Sequence, residues 1–157
     1  MTVGTYFLIL LAASNRYGWY EIQNQFAAPL FLGGDQVLVE FVARPSQLQR
    51  GDLIIHQTAE RLDRIIGVAG DQVELKNDRL FVNGRPVSRQ QYPLVFRPGA
   101  GDFSIVVPKG QLCLWQEATN VGEGGPQFLP YVMVDAAEVA GRPVAIMQPP
   151  QRRQWMD

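Results

Sequence analysis

The sequence predicts a mostly β fold, a coiled sheet or small barrel of short strands, and three observations carry that reading. Short runs rich in β-branched and aromatic residues recur along the chain, among them residues 36–42 (QVLVEFV), 53–56 (LIIH) and 103–107 (FSIVV). Glycine, proline and aspartate punctuate them, with 15 Gly and 11 Pro in 157 residues. No stretch carries a long apolar stripe at helical spacing, and no repeat of roughly 20–50 residues stands out. Many short strands joined by tight turns bury a core by coiling or closing a sheet.

Taken in order, Ser14, Asn15, Arg16 and Gly18 break the apolar start, and residues 19–22 (WYEI) read as a short strand. Gly33-Gly34-Asp35 is a turn into the strand at 36–42. Arg44-Pro45-Ser46 opens a loop, and Arg50-Gly51-Asp52 turns into the strand Leu53-Ile54-Ile55-His56. Residues 57–62 fit either a loop or one helical turn. Residues 61–84 (RLDRIIGVAGDQVELKNDRLFVNG) form the centre of the pattern. Ile65, Ile66 and Val68 make an apolar run that ends at the turn Gly70-Asp71. Val73 and Leu75 then alternate with Gln72, Glu74 and Lys76, as a half-buried strand requires. Asn77-Asp78 turns the chain back through Leu80-Phe81-Val82 to Asn83-Gly84.

Residues 85–101 hold three prolines and two glycines and read as an excursion with one extended piece at Leu94-Val95-Phe96. Strands follow at 103–107, 112–115, 131–134 and 143–147, with a turn at 136–139. Residues 122–126 (GEGGP) are the richest in glycine. The predicted organisation is an N-terminal apolar segment (1–18), a β domain (19–147) and a frayed tail (148–157), on which Trp155 has the option of docking.

Composition removes several function classes. With 14 basic and 15 acidic residues the net charge is −1, no basic stripe is present, and nucleic-acid binding is not expected. A single cysteine excludes an internal disulfide and a cysteine zinc cluster, and a single histidine excludes a multi-histidine metal site, so no metal or cofactor is expected. Cys113, in Leu-Cys-Leu-Trp, reads as a buried small hydrophobe rather than a reactive thiol. His56 reads as a strand-end residue with a local hydrogen bond rather than a catalyst. The basic residues are arginines except for Lys76 and Lys109. Residues 6–13 (YFLILLAA) are apolar but fall short of the roughly 20 residues a spanning helix needs. They fit a buried first element, a shallow membrane contact, or the tail of a longer anchor.

Three Gly-Asp pairs, Gly34-Asp35, Gly51-Asp52 and Gly70-Asp71, each border an apolar strand. Their order, with Pro29, Val37-Leu38-Val39, Arg64-Ile65-Ile66-Gly67-Val68-Ala69 and Leu80-Phe81-Val82-Asn83-Gly84, resembles the type I signal peptidases (leader peptidases), membrane-bound serine proteases with a Ser-Lys dyad. The family pattern runs S-G-S-M-x-P-T-L-x-x-G-D-x-V-L-V, R-G-D-I-V-x-F, K-R-V-I-G-x-P-G-D, then x-L-Y-V-N-G. Val139-Ala140-Gly141-Arg142 resembles its closing stretch, so the likeness covers about residues 19–147. It implies a signal-peptidase-like coiled sheet.

The same ungapped reading puts Phe26 at the family nucleophile position, three residues before Pro29, and Asp63 at the base position, just before Arg64. Amide hydrolysis by this route needs a hydroxyl to attack and a neutral amine to take its proton. Phenylalanine has no nucleophilic atom. The family block G-D-N-x-x-x-S-x-D-S-R is replaced by residues 115–126 (WQEATNVGEGGP). His56, the residue type that endoplasmic-reticulum relatives use as base, lies seven positions from Asp63. The resemblance therefore implies a non-catalytic relative with a candidate groove at Phe26, Pro29, Asp63 and Arg64. It would bind an extended peptide or a protein subunit, at a membrane surface, with Phe26 as anchor or as core plug. The alternative is an active serine-type signal peptidase using other residues.

Overall fold

A computed structural model of the chain describes residues 16–22, 31–41, 44–56, 62–88, 101–115 and 131–155. Among these residues the fold is two open antiparallel sheets, as the sequence predicts for a coiled sheet; the strand order does not close into a barrel. The larger sheet contains β1 (Tyr17–Glu21), β2 (Gln36–Phe41), β3 (Leu53–His56), β4 (Leu62–Val68), β9 (Gln111–Trp115), β10 (Tyr131–Asp135), β11 (Val139–Gln148) and β12 (Gln154–Trp155). Its order is β1-β2-β11-β3-β4-β9-β10, with β12 on β11. The smaller sheet runs β7 (Arg85–Pro86), β6 (Arg79–Val82), β5 (Gln72–Lys76), β8 (Phe103–Val106).

The central hairpin forms as its alternation dictates. Val73 and Leu75 are fully buried, and Asn77 and Asp78 take φ of 50° and 57°. That left-handed pair is the two-residue turn whose twist matches the strands it joins. Asn83 (φ 52°) and Gly84 (φ 74°) repeat it between β6 and β7. The two sheets meet in one apolar cluster, where Val73, Leu75, Leu80 and Val82 pack on Ile66, Cys113 and Trp115. Gly67 makes the approach possible: a Cβ there would sit 2.6 Å from Val73 Cγ2 and 3.0 Å from Val107 Cγ2. A second cluster (Phe31, Val37, Val39, Ile55, Ile146) and a third (Leu48, Ile54, Ile65, Leu114) line the larger sheet.

Each Gly-Asp pair closes the same turn. Asp35 N–H donates to Leu32 O at 3.0 Å, Asp52 to Gln49 O at 3.2 Å and Asp71 to Val68 O at 2.9 Å. The preceding glycines take φ of 88°, 93° and 90°, the left-handed third position of a type II turn. In each, a carboxylate Oδ2 accepts the N–H of the first residue, Leu32 at 2.8 Å, Gln49 at 2.9 Å and Val68 at 2.9 Å. Backbone and side chain of one aspartate thus hold both ends of the turn.

The structure departs from the expectations in several places; Arg85–Pro86, read as the start of an excursion, pairs with β6, and Leu62, read as the end of a loop or helical turn, opens β4. The last long strand begins at Val139, before Gly141 and Pro143, because a shift of register between Pro143 and Ala145 absorbs the proline. The first strand starts at Tyr17. The tail is not frayed through Trp155: Pro150–Arg152 forms a 3₁₀ turn, and Gln154 and Trp155 pair with Ile146 and Ala145. Arg152 fixes it by binding Asp35 through two hydrogen bonds, at 3.0 and 2.9 Å. The Trp155 indole itself stays 72% exposed, so the tail docks by its backbone. The expected extended piece at Leu94-Val95-Phe96 and the glycine-rich residues 122–126 lie outside the described residues.

Candidate functional site

Of the four residues singled out by the sequence, Asp63 and Arg64 are described; Phe26 and Pro29 lie outside the described residues. Asp63 and Arg64 sit side by side on β4, which is hydrogen-bonded to β3 on one edge and to β9 on the other. Asp63 stands opposite Ile54 and is 6% exposed. Directly paired residues share a face of the sheet, as do residues two apart on one strand, so Asp63 lies on the face of Ile54 and Ile65. Both belong to the third apolar cluster.

Arg64, opposite Leu53 and next to Trp115, takes the other face, and its Nη1 donates to the Gly51 carbonyl at 2.8 Å. There it lines a hollow of about 560 Å³ with Glu40, Asp52, Arg142, Val144 and Trp155. Glu40 is the hub of the charges around it. Arg16 donates twice to Glu40 Oε1, at 2.9 Å from Nε and 2.6 Å from Nη2, and Arg142 Nη2 reaches Oε2 at 3.3 Å. Arg142 Nη1 also lies 3.7 Å from Asp52. The Arg16 hydrogen bond, with help from Arg142, holds the Glu40 carboxyl below the usual glutamate value despite partial burial. Sequence reasoning missed Glu40 and Trp155 as lining residues, since nothing local marks them. Arg142 carried a signal, its place in the Val-Ala-Gly-Arg stretch.

Chemically, the arginines and carboxylates of this hollow suit binding and orienting a ligand. Lys76 Nζ donates to Glu74 at 2.8 Å on the smaller sheet, and Lys109 is exposed in the turn before β9. Ser104 Oγ contacts Glu74 at 3.3 Å on that same smaller sheet, and Ser46 is exposed in a 3₁₀ turn. The Cys113 thiol is buried between the sheets, and burial pushes it up to about 12, so the thiolate is not populated near neutrality. His56, at the end of β3, lies 3.2 Å from Glu138 Oε2. Among the described residues no three His, Cys, Asp or Glu side chains group as metal ligands. A larger hollow of about 830 Å³, lined by Arg50, Ile66, Val68, Val82, Asn83 and Arg85 among others, has neither Asp63 nor Arg64 among its described lining residues.

Comparison with known proteins agrees with the resemblance read from the turns. The family model described as "Signal peptidase, peptidase S26" matches residues 1–120. Signal peptidase IB of Staphylococcus aureus (strain COL) is 27% identical over 143 residues, covering 78% of this chain and 73% of the relative. Signal peptidase I P of Bacillus subtilis subsp. natto is 31% identical over 83 residues, covering 50% of this chain and 45% of that one. A crystal structure of a signal peptidase I from Enterococcus faecalis V583 superposes with a TM-score of 0.43 at 23% identity, over 60% of this chain and 95% of that one.

Proposed function

Since the chain belongs to the signal peptidase family, peptidase S26, we propose that it is a non-catalytic member that holds an extended peptide or a partner subunit at a membrane. What supports this reading is a pair of positions. Where the family motif has serine and lysine, this sequence has Phe26 and Asp63, and Asp63 is a buried carboxylate on a central strand. A carboxylate in an apolar setting is no substitute for a neutral amine unless a hydroxyl stands beside it, and Phe26 brings none. The apolar residues 6–13 support the membrane part; among the described residues no helix is long and apolar enough to cross one. Strand addition gives such a scaffold a use without chemistry, since main-chain hydrogen bonds and shallow pockets suffice for affinity.

The test is incubation of the purified chain with a preprotein carrying a small-x-small cleavage site, beside a polarisation titration with a labelled extended peptide. Saturable binding without cleavage is expected. A cleavage product absent from a heat-inactivated control overturns the reading in favour of an active serine endopeptidase, which the names of the relatives favour. Phe26→Ser combined with Asp63→Lys should still give little cleavage, because residues 115–126 lack the family's supporting block.

A further inference from the structure

The larger hollow, of about 830 Å³, opens along the seam between the two sheets, and its size is that of a small-ligand pocket. Its apolar wall is drawn from two separate clusters. Ile66, Leu80 and Val82 belong to the first, with Val87 packed against it; Leu48 belongs to the third, with Val68 packed against it. Val68 and Val87 are only half-buried, so each keeps apolar surface for a ligand to cover. The charged residues on the described lining are Arg50 and Arg85. Arg85 opposes Val82, so it stands on the apolar side of the β6–β7 hairpin. Arg50 Nε lies 3.5 Å from Asp71 Oδ2, which leaves its Nη donors for a ligand. The acids nearby do not cancel this charge. Asp71 offsets Arg50 alone, and Asp52 is taken by the Gln49 N–H and by Arg142 at 3.7 Å. Arg85 has no ion-pair partner among the described residues.

We infer that this hollow captures the free C-terminus of an apolar peptide, with the carboxylate at the two arginines and the side chains on Val68, Val87 and the wall between them. Three observations select that occupant. The surplus positive charge beside an apolar wall calls for an anion carried on an apolar body, and a guanidinium fits a carboxylate with two parallel hydrogen bonds. The rim also offers amide groups, the Gln49 side chain and the Pro86 carbonyl. A peptide's N–H and C=O groups match these, whereas an acyl chain would strip them of water and return nothing. No aromatic side chain is on the described lining, so nothing there stacks on a nucleobase. The peptide enters end-on and does not add a strand. β7 is the last strand of the smaller sheet, Pro86 has no N–H, and the Val87 N–H is already given to Leu80 O at 2.9 Å. The inference is independent of the proposed function, since neither Asp63 nor Arg64 is among the described lining residues.

The test is fluorescence polarisation of the full chain with an N-terminally labelled Ala-Leu-Val-Leu peptide, as the free acid and as the C-terminal amide. The acid should bind saturably and the amide roughly tenfold or more weakly, the effect of losing a charge-assisted hydrogen bond. That comparison needs no variant, so a failure to fold cannot obscure it. Arg50→Gln and Arg85→Gln should each weaken the acid about tenfold and leave the amide nearly unchanged. Arg79→Gln, on the opposite face of β6 with Phe81, should change neither. Val87→Trp, which narrows the hollow, should weaken both forms, with urea midpoints checking that each variant folds. Equal binding of acid and amide overturns the inference, as does no binding of the acid. So does decanoate that displaces the peptide below the peptide's own Kd, which would make the hollow an acyl site. If the acid binds the Arg50→Gln, Arg85→Gln double variant as tightly as the parent, the peptide sits elsewhere; this inference then fails and the proposed function stands.

Discussion

The first and second Gly-Asp turns are built from the same parts and held with different strength. Both place a glycine at φ near 90°, and both use Oδ2 to accept the N–H three residues back. Asp35 is 2% exposed and grips Arg152 with both oxygens. Asp52 is 24% exposed at its side chain, and its arginine, Arg142, stands 3.7 Å away and is shared with Glu40. Local chemistry therefore decides that a turn forms, and distant chain decides how firmly it is kept.

The contrast breaks most visibly at Asp35. Asp35→Ala leaves the Arg152 guanidinium without its buried partner and the Leu32 N–H without an acceptor, a loss of about 3–5 kcal/mol in urea unfolding. Arg152→Ala should cost a similar amount, and the double variant clearly less than the sum. A cost below about 1 kcal/mol at either position would make the two turns equivalent and remove the distinction. Asp71→Ala comes next, at about 2–3 kcal/mol, because Asp71 is 8% exposed and holds the Val68 N–H at 2.9 Å and Asn83 Nδ2 at 2.8 Å. Asp52→Ala should cost about 1 kcal/mol or less.

The smallest effect sharpens the comparison through pH. The Glu40 carboxyl is lowered in the folded protein, so its stabilising contribution is present above its ordinary value of 4.5 and is lost as pH falls through the lower folded value. Glu40→Gln should flatten that acid limb by less than about 1 kcal/mol, read from urea midpoints between roughly pH 3 and 6. It also releases Arg142 from one of its two carboxylates. Asp52→Ala should then cost more in the Glu40→Gln background than in the parent; an unchanged cost would show that the arginine is not divided between them.

What was legible in the sequence was what short range decides. β3 matched its four residues, and the β5–β6 hairpin followed from alternation and from Asn77-Asp78. The three turns announced themselves by glycine and aspartate. Illegible was whatever depends on a remote partner. The last strand reads from Pro143 alone, because its start at Val139 depends on β2 and β3 lying beside it, and the tail reads as loose until Asp35 stands opposite Arg152. The candidate site divides the same way. Asp63 and Arg64 are neighbours in sequence and share β4, while the hollow around Arg64 needs Glu40, Arg142 and Trp155, which the sheet brings together from remote segments.

Asp35 and Arg152 are 117 residues apart. While the protein is being synthesised, the first turn waits with an unneutralised acid, and β2 has only β1 beside it, until β11 and then Arg152 have left the ribosome. Such long-range closure makes for slow, late consolidation, and it leaves the nascent N-terminal strands open to wrong neighbours meanwhile. A chain cut before residue 152 would not be a slightly shorter protein but one whose opening strands never receive their counter-ion.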